Sequence, residues 1–112
     1  MNELTERLAI SQPVAVGGSQ PTLQDFRKRI EEIEWVFIKF TETRGGTDLG
    51  MQLDRNNSDL SSADFDNGTG TVHLEGTLTL NYDPVRCIAD IDLATLKGNG
   101  HLEPVEAKAV AN

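Results

Sequence analysis

From Pro21 onward the apolar residues first recur at helical spacing. Leu23, Phe26, Ile30 and Ile33 follow one another at intervals of three, four and three, which places them on one face of an α-helix. Arg27, Lys28, Arg29, Glu31 and Glu32 fill the opposite face. Arg27 and Glu31, and Lys28 and Glu32, stand four residues apart, the separation at which opposite charges on a helix meet. Thr22 is a suitable N-cap, with Asp25 three residues on, where a capping box carries its polar partner. The helix is expected to end near Glu34.

The period then drops to two. Val36, Ile38 and Phe40 alternate with Trp35, Phe37, Lys39 and Thr41, and Leu49, Met51 and Leu53 continue the alternation after Gly45-Gly46. A tight hairpin turn at the two glycines would pair Arg44 with Thr47, Phe40 with Met51 and Ile38 with Leu53. Residues 54–70 are polar and rich in Asp, Asn, Ser and Gly, a long loop of the kind that is more often functional than average. The strongest alternation follows. Val72, Leu74, Leu78, Leu80 and Tyr82 share one face of a strand, and Val85, Cys87, Ala89, Ile91 and Leu93 share one face of the next. A turn at Asp83-Pro84 would pair Tyr82 with Val85. Gly98-Asn99-Gly100 reads as a last turn before a short strand at His101-Leu102-Glu103.

These elements predict the α+β class: one N-terminal amphipathic helix packed on a roughly four-stranded antiparallel sheet. Residues 1–20 are expected to be a flexible N-terminal arm with a short strand near Val14, residues 21–105 a single domain, and residues 106–112 a frayed tail. Helix followed by meander resembles the cystatin-like topology. Gln12-Pro13-Val14-Ala15-Val16-Gly17 is similar to a Gln-x-Val-x-Gly wedge, but it precedes the helix, and the tip at Arg44-Gly45-Gly46 carries no such motif. Protease inhibition is therefore not inferred.

Composition narrows the function classes. The chain has 112 residues and a formal charge of −8, from 18 acidic and 10 basic side chains. That charge disfavours a nucleic-acid backbone or an anionic membrane as partner. It suits a basic protein partner, a cation, or nothing more than solubility. Hydrophobic residues make up 38%, and no run approaches the length of a membrane helix. The start of the chain does not read as a secretory signal. A lone cysteine, Cys87, can form no internal disulfide and falls on an apolar strand face, as an inert core thiol would. The expected location is cytoplasmic, and the sequons at Asn56 and Asn67 read as turn residues.

Three groups of residues could carry chemistry. Asp64 and Asp66, with Glu75 twelfth in the count from Asp64, partly follow a calcium-loop pattern. The glycine sits one place early, however, and a strand follows in place of a helix. The three are a candidate divalent-cation site; otherwise they are turn formers. In the second group, the expected register sets Glu75 opposite Asp92 and Thr77 opposite Asp90, with His73 one step along. Facing carboxylates repel unless a cation or a basic partner intervenes, so His73, Glu75, Asp90 and Asp92 are candidate binding residues. The bland reading is the wet face of a one-sided sheet. The third group is Trp35, Phe37 and Phe40 around Lys39, either core or a partner surface centred on Trp35.

No nucleophile motif, phosphate-binding glycine loop or dinucleotide fingerprint is present. The function expected is therefore that of a small, acidic, non-catalytic binding or accessory protein. It would act through protein–protein contact, as an inhibitor or immunity-type protein against a basic partner or by homodimerisation. The alternatives are a small-molecule or metal binder, or a small enzyme, on the polar sheet face, and a structural subunit of a larger assembly. No cofactor is expected beyond a divalent cation in the second of these readings.

Overall fold

A computed structural model describes residues 6–19, 21–43, 45–80 and 82–105. Strand β1 (Gln12–Val16) leads into helix α1 (Leu23–Lys28), which widens into a π-helical turn at Arg29–Ile33. The strands β2 (Trp35–Phe40), β3 (Thr47–Leu53), β4 (Ala63–Asp64), β5 (Thr69–Leu80), β6 (Asp83–Asp92) and β7 (Lys97–Pro104) follow. The sheet runs β3-β2-β1-β7-β6-β5, and β3 also pairs with β5. That last pairing, Gln52 with Thr77 and Leu53 with Gly76, closes the sheet into a six-stranded antiparallel barrel. The expectation of a helix on a four-stranded sheet is thus overturned, and with it the cystatin-like analogy.

The correction begins at the N-terminal segment. Residues 12–16, placed by sequence in a flexible arm with a short strand near Val14, form a barrel strand between β2 and β7, with Val14 opposite both Phe40 and Gly98. The alternation Val14-Ala15-Val16 is too short to be distinctive, but two neighbours satisfy its backbone. With β1 in place the sheet has no need of a helix across its face. Alternate side chains fill the lumen: Val36, Ile38, Phe40, Met51, Leu74 and Ile91 are all 0% exposed. Full burial of each such side chain contributes on the order of 1.5–3 kcal/mol. The short helix, between β1 and β2, inserts Phe26 and Ile30 into the same core. Leu8, also fully buried, accepts a hydrogen bond through its carbonyl from the Leu102 N–H at 2.7 Å.

The helix begins as expected, with Thr22 Oγ1 accepting from the Asp25 N–H at 3.2 Å. It ends at Glu34, a left-handed residue with φ 59°. Arg27 and Glu31 form an ion pair at 3.2 Å.

Except for Tyr82, expected on the apolar face but 97% exposed beyond the end of β5, the hairpins keep the expected faces but not the expected registers. Phe40 pairs with Thr47 and Val36 with Met51, because β2 stops at Phe40. The connection is then a wide one, in which the Thr43 and Thr47 hydroxyls meet at 2.6 Å. The predicted partner Arg44 lies outside the described residues. In the second hairpin Asp83 and Pro84 belong to β6, and pairing runs out to Leu80 with Asp83. The turn therefore falls between Leu80 and Asp83, where Tyr82 takes a φ of 72°. The third turn is at Leu93–Leu96, not at Gly98–Gly100. Those glycines lie inside β7, where a side chain on Gly98 would overlap the Asp90 carbonyl of β6. Gly76 serves the closing seam in the same way: a Cβ there would stand 2.6 Å from the Gln52 carbonyl oxygen. The expected tail at 106–112 and residues 1–5 of the arm lie outside the described residues. No helix among the described residues is long and apolar enough to cross a membrane.

Candidate functional site on the outer wall

Because β5 and β6 alternate, the residues between their lumen positions face outward. The observed register sets His73 opposite Asp90, Glu75 opposite Ile88 and Thr77 opposite Arg86. The anticipated opposition of Glu75 and Asp92 does not occur; Asp92 pairs with Thr71 and Lys97, and its carboxylate accepts from the Ala94 N–H at 2.9 Å. Three of the four residues of the polar-face candidate come together, and Asp92 stands apart from them.

The imidazole of His73 is held at both ends. Nδ1 lies 2.8 Å from Asp90 Oδ1, and Nε2 lies 2.8 Å from Glu75 Oε2. A neutral imidazole has one N–H, so two carboxylate acceptors at this distance call for the imidazolium. The hydrogen bond to Glu75, and next that to Asp90, holds the His73 pKa above its ordinary 6.5. Glu75 is in turn pulled below the usual carboxylate range, chiefly by His73 and further by Arg86.

Arg86 extends the network. Its Nε donates to Glu75 Oε1 at 3.0 Å, and its Nη2 donates to Asp54 Oδ2. Asp54 also receives the Asn57 side-chain amide at 2.8 Å, the first cause of its lowered pKa, followed by Arg86. The result is an unbroken chain, Asp90–His73–Glu75–Arg86–Asp54, in which cations and anions alternate. Sequence reasoning missed Arg86 and Asp54. Arg86 was hidden by the slipped register. Asp54 had a legible signal, since Asp, Asn and Ser in short succession favour side-chain-closed turns. Three such turns occur five residues apart: Asp54 accepts from the Asn56 N–H at 3.1 Å, Asp59 from that of Ser61 at 2.9 Å, and Asp64 from that of Asn67 at 3.0 Å.

Those turns also account for the cation candidate. Asp64 is occupied by Asn67, with its pKa lowered by that side chain first. Asp66 pairs with Arg27 at 3.0 Å, and Glu75 belongs to the His73 network. The fold does not bring Asp64, Asp66 and Glu75 together, and the described residues contain no group of three or more acidic, His or Cys side chains arranged to hold a metal.

The aromatic group divides. Phe40 is core. Trp35 and Phe37 point outward across Gly50, where a Cβ would meet the indole nitrogen at 2.7 Å. The Arg29 guanidinium stands 4.9 Å from the Phe37 ring centroid. Trp35 remains 38% exposed and Ile33, just before it, 47%. Cys87 is buried in the lumen, and burial pushes its thiol up to about 12; so little thiolate forms near neutrality that nucleophilic chemistry is not favoured there. In comparisons with known protein families and with curated proteins, the chain matches no family model and no curated sequence.

Proposed function

We propose that the protein is a non-catalytic binding protein that meets another protein through the outer wall of its barrel, with Trp35 at the centre of the contact. The observation that carries this reading is the exposure of the lone tryptophan, Trp35, with Ile33 exposed two residues before it; Ile10, Tyr82 and Val105 are the other large apolar side chains exposed among the described residues. Exposed tryptophan beside apolar neighbours is the composition of an interface centre. Two further features support it. The lumen is filled by its own side chains, so a ligand would have to bind outside it. The acid–base residues of the polar wall are engaged with one another, in a pattern that favours structure over turnover. The charge of −8 favours a basic partner, and the lone buried thiol fits a cytoplasmic setting.

The test is affinity capture with the whole chain, at low and high salt, with Trp35→Ala in parallel. Sedimentation velocity follows on the same samples. The reading expects a partner, or a second copy, that the wild type retains, that Trp35→Ala loses and that high salt weakens. A monomer that captures nothing in a Trp35-dependent way would overturn it.

A further inference from the structure

We propose that Asn67 is a self-modification site: in the folded chain its side-chain amide is lost to attack by the Gly68 nitrogen, and the carboxylate that forms loosens β4 from β5. The sequence has two Asn-Gly steps, Asn67-Gly68 and Asn99-Gly100. Both carry what the reaction needs locally. Glycine has no Cβ to hinder the approach of its nitrogen, and it lets the peptide turn freely. The fold then treats the two steps differently.

Asn99 and Gly100 lie inside β7. Asn99 stands opposite Pro13 on one side and Asp90 on the other, and Gly100 opposite Gln12 and Ala89. Gly100 is buried, and a Cβ there would stand 2.9 Å from the Ile88 carbonyl oxygen. The peptide joining them cannot swing onto the Asn99 side chain without opening two ladders. Asn67 and Gly68 lie instead in the turn between β4 and β5, where pairing ends at Asp64 with Thr69. Asn67 is exposed, and Gly68 takes a φ of 66°. Among the described residues the Gly68 N–H makes no hydrogen bond, so the attacking nitrogen is unengaged.

The reaction balances with water alone. The Gly68 nitrogen bonds to Asn67 Cγ, the Cγ–Nδ2 bond breaks, and ammonia leaves with the proton that Gly68 gives up. Water then opens the cyclic imide. Attack at Cγ leaves aspartate at position 67. Attack at the main-chain carbonyl of residue 67 leaves isoaspartate, with the chain running through Cγ.

Asp64 governs both the rate and the consequence. Its carboxylate accepts the Asn67 N–H at 3.0 Å through Oδ1 and the Asn67 Nδ2 at 2.7 Å through Oδ2. That hold keeps the leaving nitrogen in place, but an exposed turn opens readily, so it slows the step without blocking it. Either product replaces the amide donor with a carboxylate that faces Asp64, and like charges so placed repel. The repulsion falls on a strand of only two residues. Phe65, which packs on the core, follows that strand, and Arg27 reaches both its ring, at 5.5 Å, and Asp66, at 3.0 Å. Loosening β4 therefore frees Phe65 and Arg27.

The experiment ages the full chain in mildly alkaline buffer, folded and, in parallel, unfolded in urea. Peptide mapping by mass spectrometry follows the amide-to-acid mass gain at each asparagine, and an isoaspartyl methyltransferase labels the isoaspartate. In the folded chain Asn67 is expected to convert at least about tenfold faster than Asn99, and in urea the two rates should approach equality. Asn67→Asp should lower amide protection at Asp64 and Thr69 while leaving β6 and β7 unchanged. Adding Asp64→Asn, which restores a carboxylate–amide pair, should return that protection. Equal rates in the folded chain, or a ratio that urea leaves unchanged, would overturn the assignment of Asn67. Wild-type protection in Asn67→Asp, or a loss that Asp64→Asn does not repair, would overturn the loosening of β4.

Discussion

The lumen of the barrel and the outer face of its β5–β6 wall are built from the same two strands. Val72 and Leu74 go inward while His73 and Glu75 go outward; Cys87, Ala89 and Ile91 go inward while Arg86 and Asp90 go outward. The two faces differ in what they demand of the register. If β6 slid by four residues, apolar side chains would still meet apolar ones inside, because the slip is even. Outside, the same slip would dissolve the His73–Asp90 pair and set Glu75 against Asp92. Burial is non-directional and tolerates alternatives, whereas a chain of alternating charges joined by hydrogen bonds does not. In this wall the inside supplies most of the stability, and the outside distinguishes one pairing from its neighbours.

The largest effect should come from the lumen. Phe40→Ala removes a fully buried ring and is expected to cost about 3–5 kcal/mol, read from the urea midpoint. If the loss is under 1 kcal/mol, the lumen is not the packed core described above. Next comes the outer chain. Arg86→Met keeps the stem but removes the cation shared by Glu75 and Asp54. It should cost about 1 kcal/mol, the upper end for partly exposed pairs, and should loosen residues 54–60 more than β7 in hydrogen exchange.

The pH dependence separates the faces further. Asp54, Asp59, Asp64 and Glu75 all have lowered pKa values. Their contribution is present above the ordinary 3.8 of Asp and 4.5 of Glu, and it is lost as pH falls through the lowered values. The thermal midpoint should therefore fall on acidification below about pH 4. It should also soften above 6.5, as His73 discharges, and His73→Gln should abolish only the second decline. The smallest effect is expected at the hairpin tip. Tyr82 is 97% exposed with φ 72°, so Tyr82→Gly relieves left-handed strain and loses no packing. After the added freedom of the unfolded chain, a gain of roughly 0.5 kcal/mol should remain. A loss would mean that the Tyr82 ring makes a contact worth more than the strain.

Reading from sequence succeeded where the signal is local. The cap at Thr22, the ion pair Arg27–Glu31, the inward face of each long strand and the buried Cys87 all follow from spacing within one element. The turns misled. Gly45-Gly46, Asp83-Pro84 and Gly98-Asn99-Gly100 have turn composition, yet one belongs to a wider connection, one opens a strand and one lies where two strands crowd together. A glycine chosen for close approach and a glycine chosen for a turn look alike in sequence. Two of the misread turns moved a register, and one of those registers decided which polar residues met. That is why His73, Glu75 and Asp90 stand together as the reading grouped them, while Asp92 lies apart and Arg86, which the reading did not single out, joins them.

By itself the sequence determined which side of each long strand is dry, where the helix starts and stops, and that the chain is strongly acidic. Those properties depend on residues within a few positions of one another. Tertiary structure alone decided that the sheet closes, that residues 12–16 complete its wall, and that one histidine stands between two carboxylates. Closure rests on Gln52 meeting Thr77 and Val14 meeting Gly98. Pairings so distant along the chain are set by the summed geometry of the turns between them, which no local alternation of apolar and polar residues records.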